Sequence, residues 1–158
     1  MRAAGRAAEQ EGVCYLVGGA TAVLVGWRET TVDVDLRLEP EQDALLRALP
    51  SIKDELAINV ELASPADFIP LPAAWRERSP FIAREGLLSF RHFDLYSQAL
   101  AKLERGHSRD LADVHAMLAR GLIEAERLRA FFVEIEPELY RFPAIDPADF
   151  RRAVTAGG

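Results

Sequence analysis

Residues 16–37, LVGGATAVLVGWRETTVDVDLR, decide the fold: an apolar run, a glycine pair, a stretch of small residues and then Asp33-Val34-Asp35-Leu36-Arg37. This order predicts a strand, a turn, a helix over residues 20–25 ended by Gly26, and a second strand. Side chains alternate between the two faces of a strand, so Asp33, Asp35 and Arg37 share one side while Val34, Leu36 and Leu38 share the other. A rise of about 3.3 Å per residue puts the two carboxylates roughly 6–7 Å apart, where a shared cation relieves their repulsion. Gly18 and Gly19 form the turn, and the N–H groups that open the helix after it make an anion site.

Residues 57–62, AINVEL, repeat the alternation, with Ile58, Val60 and Leu62 on one side and Asn59 and Glu61 on the other. If this strand and the first are neighbours with their apolar sides in one core, Glu61 emerges beside Asp33 and Asp35. An exposed strand glutamate is the alternative for Glu61. Hard divalent ions such as Mg²⁺ or Mn²⁺ take one or two carboxylates together with substrate phosphates, so the set suits phosphoryl or nucleotidyl transfer better than zinc chemistry. No Cys/His cluster competes with it: His92, His107 and His115 have no metal-ligand spacing.

The chain has 158 residues, 49% hydrophobic and 28% charged, the size of one domain that folds without staples. A single cysteine, Cys14, lies in an apolar run and reads as packing; it leaves no disulfide framework and suits a reducing compartment. The first eleven residues lack the apolar stretch of a secretory signal, and no run reaches the roughly 18–20 apolar residues of a membrane span. A soluble cytoplasmic protein is expected, with no membrane partner. A net charge of −6 argues against general DNA binding, which draws on clustered Lys and Arg.

Further along, residues 3–10 are helix-prone. Glu39-Pro40 is expected to open a helix with Leu45, Leu46 and Leu49 inward, closed at Pro50. Ser64 caps a short turn, and Pro70, Pro72 and Pro80 punctuate a loop. Residues 81–83 and 87–93 read as a hairpin turned by Gly86. From Asp94 on, helical spacing takes over: Leu95, Ala99 and Leu103, a break at Gly106 and Ser108, then Leu111, Val114 and Leu118. On this reading His115 falls on the apolar side as a core histidine, while His107, in the turn, is the one worth testing. Helices follow over residues 123–134 and 147–154, the last with Asp146 as cap. Trp27 and Trp75 read as packing ahead of base stacking. The fold class is α+β: a mixed sheet flanked by helices over residues 1–93, and a helical extension packed on it over residues 94–158.

The glycine pair, small-residue helix, Arg28, threonine, Asp33-x-Asp35 and the later Glu61 resemble the minimal nucleotidyltransferases of the polymerase-beta-like superfamily, in particular bacterial members related to the nucleotidyltransferase components of toxin–antitoxin and abortive-infection systems. Residues 90–118, with Lys102, Arg105 and Arg109-Asp110-x-x-Asp113, resemble the helical segment of those proteins. The resemblance implies Gly18 and Gly19 under the nucleotide phosphates, Asp33 and Asp35 as the metal-binding pair, Glu61 as third carboxylate, binding a second metal ion and drawing the proton from the acceptor hydroxyl, and Lys102 against phosphate. Arg28, Arg37, Arg105 and Arg109 are further candidates to surround a triphosphate, each with solvated surface charge as the alternative. Asp110 and Asp113 read equally as helix-start residues that favour the dipole. Two positions depart from the pattern: Gly19 stands where a hydroxyl is common, and Glu61 where Asp is common.

The expectation is a metal-dependent enzyme moving an NMP from an NTP such as ATP to a hydroxyl acceptor, protein or tRNA, with release of pyrophosphate. The toxin–antitoxin likeness adds a cognate toxin or antitoxin as partner. The two departures motivate a rival: a catalytically inactive nucleotide- or partner-binding relative acting as an antitoxin-like module. A ribonuclease-like toxin ranks last, for want of the histidines such chemistry uses.

Overall fold

The computed structural model describes residues 1–157, which divide into two compact units. The first joins residues 1–64 with residues 79–93; the second joins residues 65–78 with the chain from Asp94 onward.

The first unit is built on a five-stranded mixed sheet: β1 (Gly12–Val17), β2 (Asp33–Glu39), β3 (Asn59–Leu62), β4 (Phe81–Glu85) and β5 (Leu88–His92), in the order β3-β2-β1-β5-β4. β1 runs antiparallel to β2 and parallel to β5, β2 runs parallel to β3, and β4–β5 is an antiparallel hairpin. One face of the sheet is apolar. Cys14, Leu16, Leu36, Leu38, Val60, Leu88 and Phe90 meet Ala20 and Leu45 in a buried core. The alternation read from residues 33–39 therefore holds, with Leu36 and Leu38 inside and Asp33 exposed. Cys14 is 1% exposed in this core, and burial pushes its thiol up to about 12, so it is packing and no nucleophile.

Three helices belong to this unit: α1 (Arg2–Ala7), α2 (Gly19–Val25) and α3 (Asp43–Leu56). Gly26 ends α2 in the left-handed conformation at φ +107°, as its sequence position predicts. Residue 39 does not open a helix. β2 runs through Glu39, α3 starts at Asp43 and Pro50 lies inside it. The stripe that decides this continues past the proline: Leu45 and Ile52 are buried, and Leu46 and Leu49 pack on the core, so burial along the sheet outweighs the backbone bond that Pro50 cannot make. α1 meets the hairpin backbone to backbone. A methyl on Gly5 would stand 2.5 Å from the Glu85 carbonyl oxygen, and one on Gly86 (φ +61°) 2.8 Å from that of Gly5.

The second unit is helical: α4 (Leu95–Arg105), α5 (Ser108–Ala119), α6 (Ala125–Ile135) and α7 (Pro147–Gly157), with 3₁₀ turns at Pro65–Asp67 and Glu136–Arg141. Asp94 explains why residues 65–78 group here although they precede the hairpin. Buried at the start of α4, its carboxylate accepts the N–H groups of Tyr96 and Ser97 and the Ser97 hydroxyl at 2.7 Å. It also receives two guanidinium bonds from Arg78, at 3.2 and 3.0 Å. Asp146 caps α7 through Ala148 and Asp149, as its sequence position predicts.

His115 is corrected: it is exposed. The buried face of α5 is Asp110, Asp113, Val114 and Met117, rotated from the Leu111–Val114–Leu118 stripe because two carboxylates go inward to meet cations. Lys102 Nζ, itself buried, bonds Asp113 at 2.7 Å and stands 3.8 Å from Asp110. Arg105 grips Asp110 through Nε at 2.8 Å and Nη2 at 2.5 Å. Burial alone would raise the Asp110 carboxyl; the Arg105 bonds and charge, helped by Lys102, reverse that and hold it below its ordinary value.

Candidate functional site

The end of the sheet where β1 finishes and β2 begins gathers the residues singled out on the first unit. Antiparallel pairing sets Val17 opposite Asp35, so the Gly18-Gly19 turn that follows β1 lies against the start of β2. Gly18 takes φ +62° and ψ −123°, backbone that a side chain opposes, and a Cβ there would come 3.4 Å from Asp35 Oδ2. Gly19 is more confined. A Cβ on it would fall 2.5 Å from Thr31 Oγ1 and 3.3 Å from the Asp33 carbonyl oxygen. The place of a side chain at residue 19 is thus taken by Thr31, from the approach to β2.

Parallel pairing of β2 with β3 sets Asp33 beside Asn59 and Asp35 beside Glu61. Neighbours in register share a face, so Asp33, Asp35, Asn59 and Glu61 lie on the side of the sheet away from the Leu36–Val60 core. Asn59 Nδ2 donates to Asp33 Oδ1 and to Glu61 Oε1, both at 3.3 Å. One neutral amide therefore joins two carboxylates on adjacent strands. Thr31 Oγ1 secures Asp33 from below: it donates to the Asp33 carbonyl at 2.9 Å and accepts the Asp33 N–H at 3.2 Å. Arg28 lies between α2 and β2, with its backbone N–H on the Ala22 carbonyl. Arg37 turns along its own strand to Glu39, at 3.1 Å.

Lys102, Arg105 and Arg109 belong to the helical unit. The first two are taken up by Asp113 and Asp110, and Arg109 is exposed on α5.

Among the described residues, no three His, Cys, Asp or Glu side chains are grouped so as to hold a metal ion on their own. What β2 offers is a pair of oxygen donors on one strand face. That donor set fits a hard divalent ion completed by oxygens of a substrate rather than a closed protein cage. On sequence alone, Asn59 and Thr31 have no task at the site. The signal for Asn59 was its place two residues before Glu61 on the same strand face; for Thr31 it was a hydroxyl just ahead of a strand.

Over residues 4–148 the sequence matches the profile of a family described as nucleotidyltransferase of unknown function (DUF6036), and the chain belongs to that family. No curated protein and no solved structure matches it. The five-stranded mixed sheet with its helices is consistent with a nucleotidyltransferase-like fold, membership implies a nucleotide substrate, and no described helix is long and apolar enough to cross a membrane.

Proposed function

We propose that the chain is a metal-dependent nucleotidyltransferase of the polymerase-beta-like superfamily, which moves an NMP from an NTP to a hydroxyl acceptor. The observation that carries this is the glycine turn lying against Asp35, with Asp33, Asp35 and Glu61 on one face of two paired strands. Gly18, with no side chain beside Asp35, lets a polyphosphate approach the main chain of the turn. Asp33 and Asp35 would hold Mg²⁺ or Mn²⁺ against its phosphates. That ion, when bound, supplies a Lewis acid that neutralises charge on the phosphoryl oxygens.

Glu61 is the base. Its carboxylate takes the proton of the acceptor hydroxyl as that oxygen forms a bond to the α-phosphorus; the bond from the α-phosphorus to the bridging oxygen breaks, and pyrophosphate leaves with its electron pair. The acceptor is a protein hydroxyl or a tRNA end, with a cognate toxin or antitoxin as partner and the cytoplasm, where NTPs and reduced thiols prevail, as setting.

Labelled ATP, GTP, CTP or UTP with Mg²⁺ and candidate acceptors tests the reading. Asp35→Ala should abolish transfer and leave the fold intact; transfer that persists unchanged in Asp35→Ala rejects the assignment. A second reading, a catalytically silent nucleotide- or partner-binding module of antitoxin type, is favoured by the crowding at Gly19, where Thr31 leaves no place for a hydroxyl-bearing side chain. Mg²⁺-dependent NTP binding without pyrophosphate release supports that second reading.

A further inference from the structure

We infer that Asn59 and Thr31 are positioning residues for Asp33, resting on the reading of Asp33 and Asp35 as the ion-holding pair, and that Gly19 is glycine to make room for this brace. The Asn59 amide has two N–H donors and no charge, and it meets two carboxylate oxygens on neighbouring strands, Asp33 Oδ1 and Glu61 Oε1. A lysine or arginine in its place would also neutralise those carboxylates and compete with a divalent ion. An amide orients them and leaves their charge available.

The Thr31 hydroxyl acts on the main chain of the same aspartate, spending its proton on the Asp33 carbonyl and its lone pair on the Asp33 N–H. Asp33 is thereby fixed at both its backbone and its carboxylate, although it is exposed at the first position of its strand, where fraying is otherwise expected. Gly19 completes the brace by absence. With Thr31 Oγ1 2.5 Å and Thr31 Cβ 3.1 Å from the place of a residue-19 Cβ, even alanine displaces the threonine and with it the strand start. Partners that orient a ligating group without touching the ion are expected to change affinity by about 10–100-fold.

The experiment uses the full chain, Mn²⁺ and a non-hydrolysable ATP analogue, with Mn²⁺ binding followed by electron paramagnetic resonance. Asn59→Ala should weaken Mn²⁺ binding about 10–100-fold. Gly19→Ala should weaken it similarly and lower the melting temperature, yet have no further effect on either readout once Thr31→Gly has removed the obstruction. In the absence of metal, the Asn59 side-chain amide signals in NMR should move in both Asp33→Ala and Glu61→Ala. An amide indifferent to both carboxylates overturns the inference, as does Gly19→Ala acting equally with and without Thr31. If the unaltered protein binds neither Mn²⁺ nor the analogue while the amide shifts and the Gly19–Thr31 coupling appear, the transferase reading falls and the brace stands.

Discussion

Two acidic groups of this protein sit in opposite physical situations. On β2 and β3, Asp33 and Glu61 are exposed and share a neutral amide. On α5, Asp110 and Asp113 are 4% and 3% exposed and are held by Lys102 and Arg105. In sequence the two look alike, Asp33-x-Asp35 and Asp110-x-x-Asp113, with Glu61 joining the first from the neighbouring strand. What separates them is the partner. Carboxylates that have cations inside the fold secure the packing of α4 on α5; the surface carboxylates are oriented by a neutral amide instead, which is what the proposed ion-holding role requires.

That contrast is breakable by measurement. The largest effect is expected from Lys102→Met, which strands Asp113 in the interior and should cost about 3–5 kcal/mol in urea denaturation. A loss under 1 kcal/mol would mean the helical cluster is hydrated and the contrast is false. Asp94→Ala removes the cap of α4 and the partner of Arg78 together, and a loss of about 2–3 kcal/mol is expected by the same assay.

Acid should separate the two units. His92, in the first, accepts no charge readily: burial lowers its pKa from 6.5, and its Nδ1 lies 3.1 Å from the Thr21 hydroxyl. The unfolded chain takes up that proton first, so stability of the sheet unit should decline as pH falls below about 6.5, and His92→Gln should flatten the decline. Asp110 is held below its ordinary 3.8, so its contribution is intact at neutral pH and should disappear only as pH falls through and below that value. Melting curves between pH 3 and 7, followed in His92→Gln and Asp110→Asn, check both windows. The smallest stability effect belongs to Asp33→Asn, expected within about 0.5 kcal/mol while transfer activity is lost.

The parts of the fold that were readable in the sequence are those governed by short-range rules. Alternation assigned Val34, Leu36 and Leu38 inward, Gly26 stopped its helix, and Asp146 capped another. What escaped depended on partners distant in the chain. The burial of α5 was rotated by Lys102 and Arg105, the proline in α3 was overruled by packing on the sheet, and residues 65–78 were drawn to the helical unit by Arg78 and Asp94. At the candidate site, the shared face of Asp33, Asp35 and Glu61 followed from alternation once the strands were paired. The amide between Asp33 and Glu61 did not, because it exists only in the register that pairs Asn59 with Asp33.

The contact between Gly5 and Gly86 has its own consequence. Where main chain rests on main chain, no rotamer can swing aside to absorb a fluctuation, so the N-terminal helix and the tip of the β4–β5 hairpin must breathe together. Deuterium uptake at the two should share one opening rate, and loosening either end of that joint would release both.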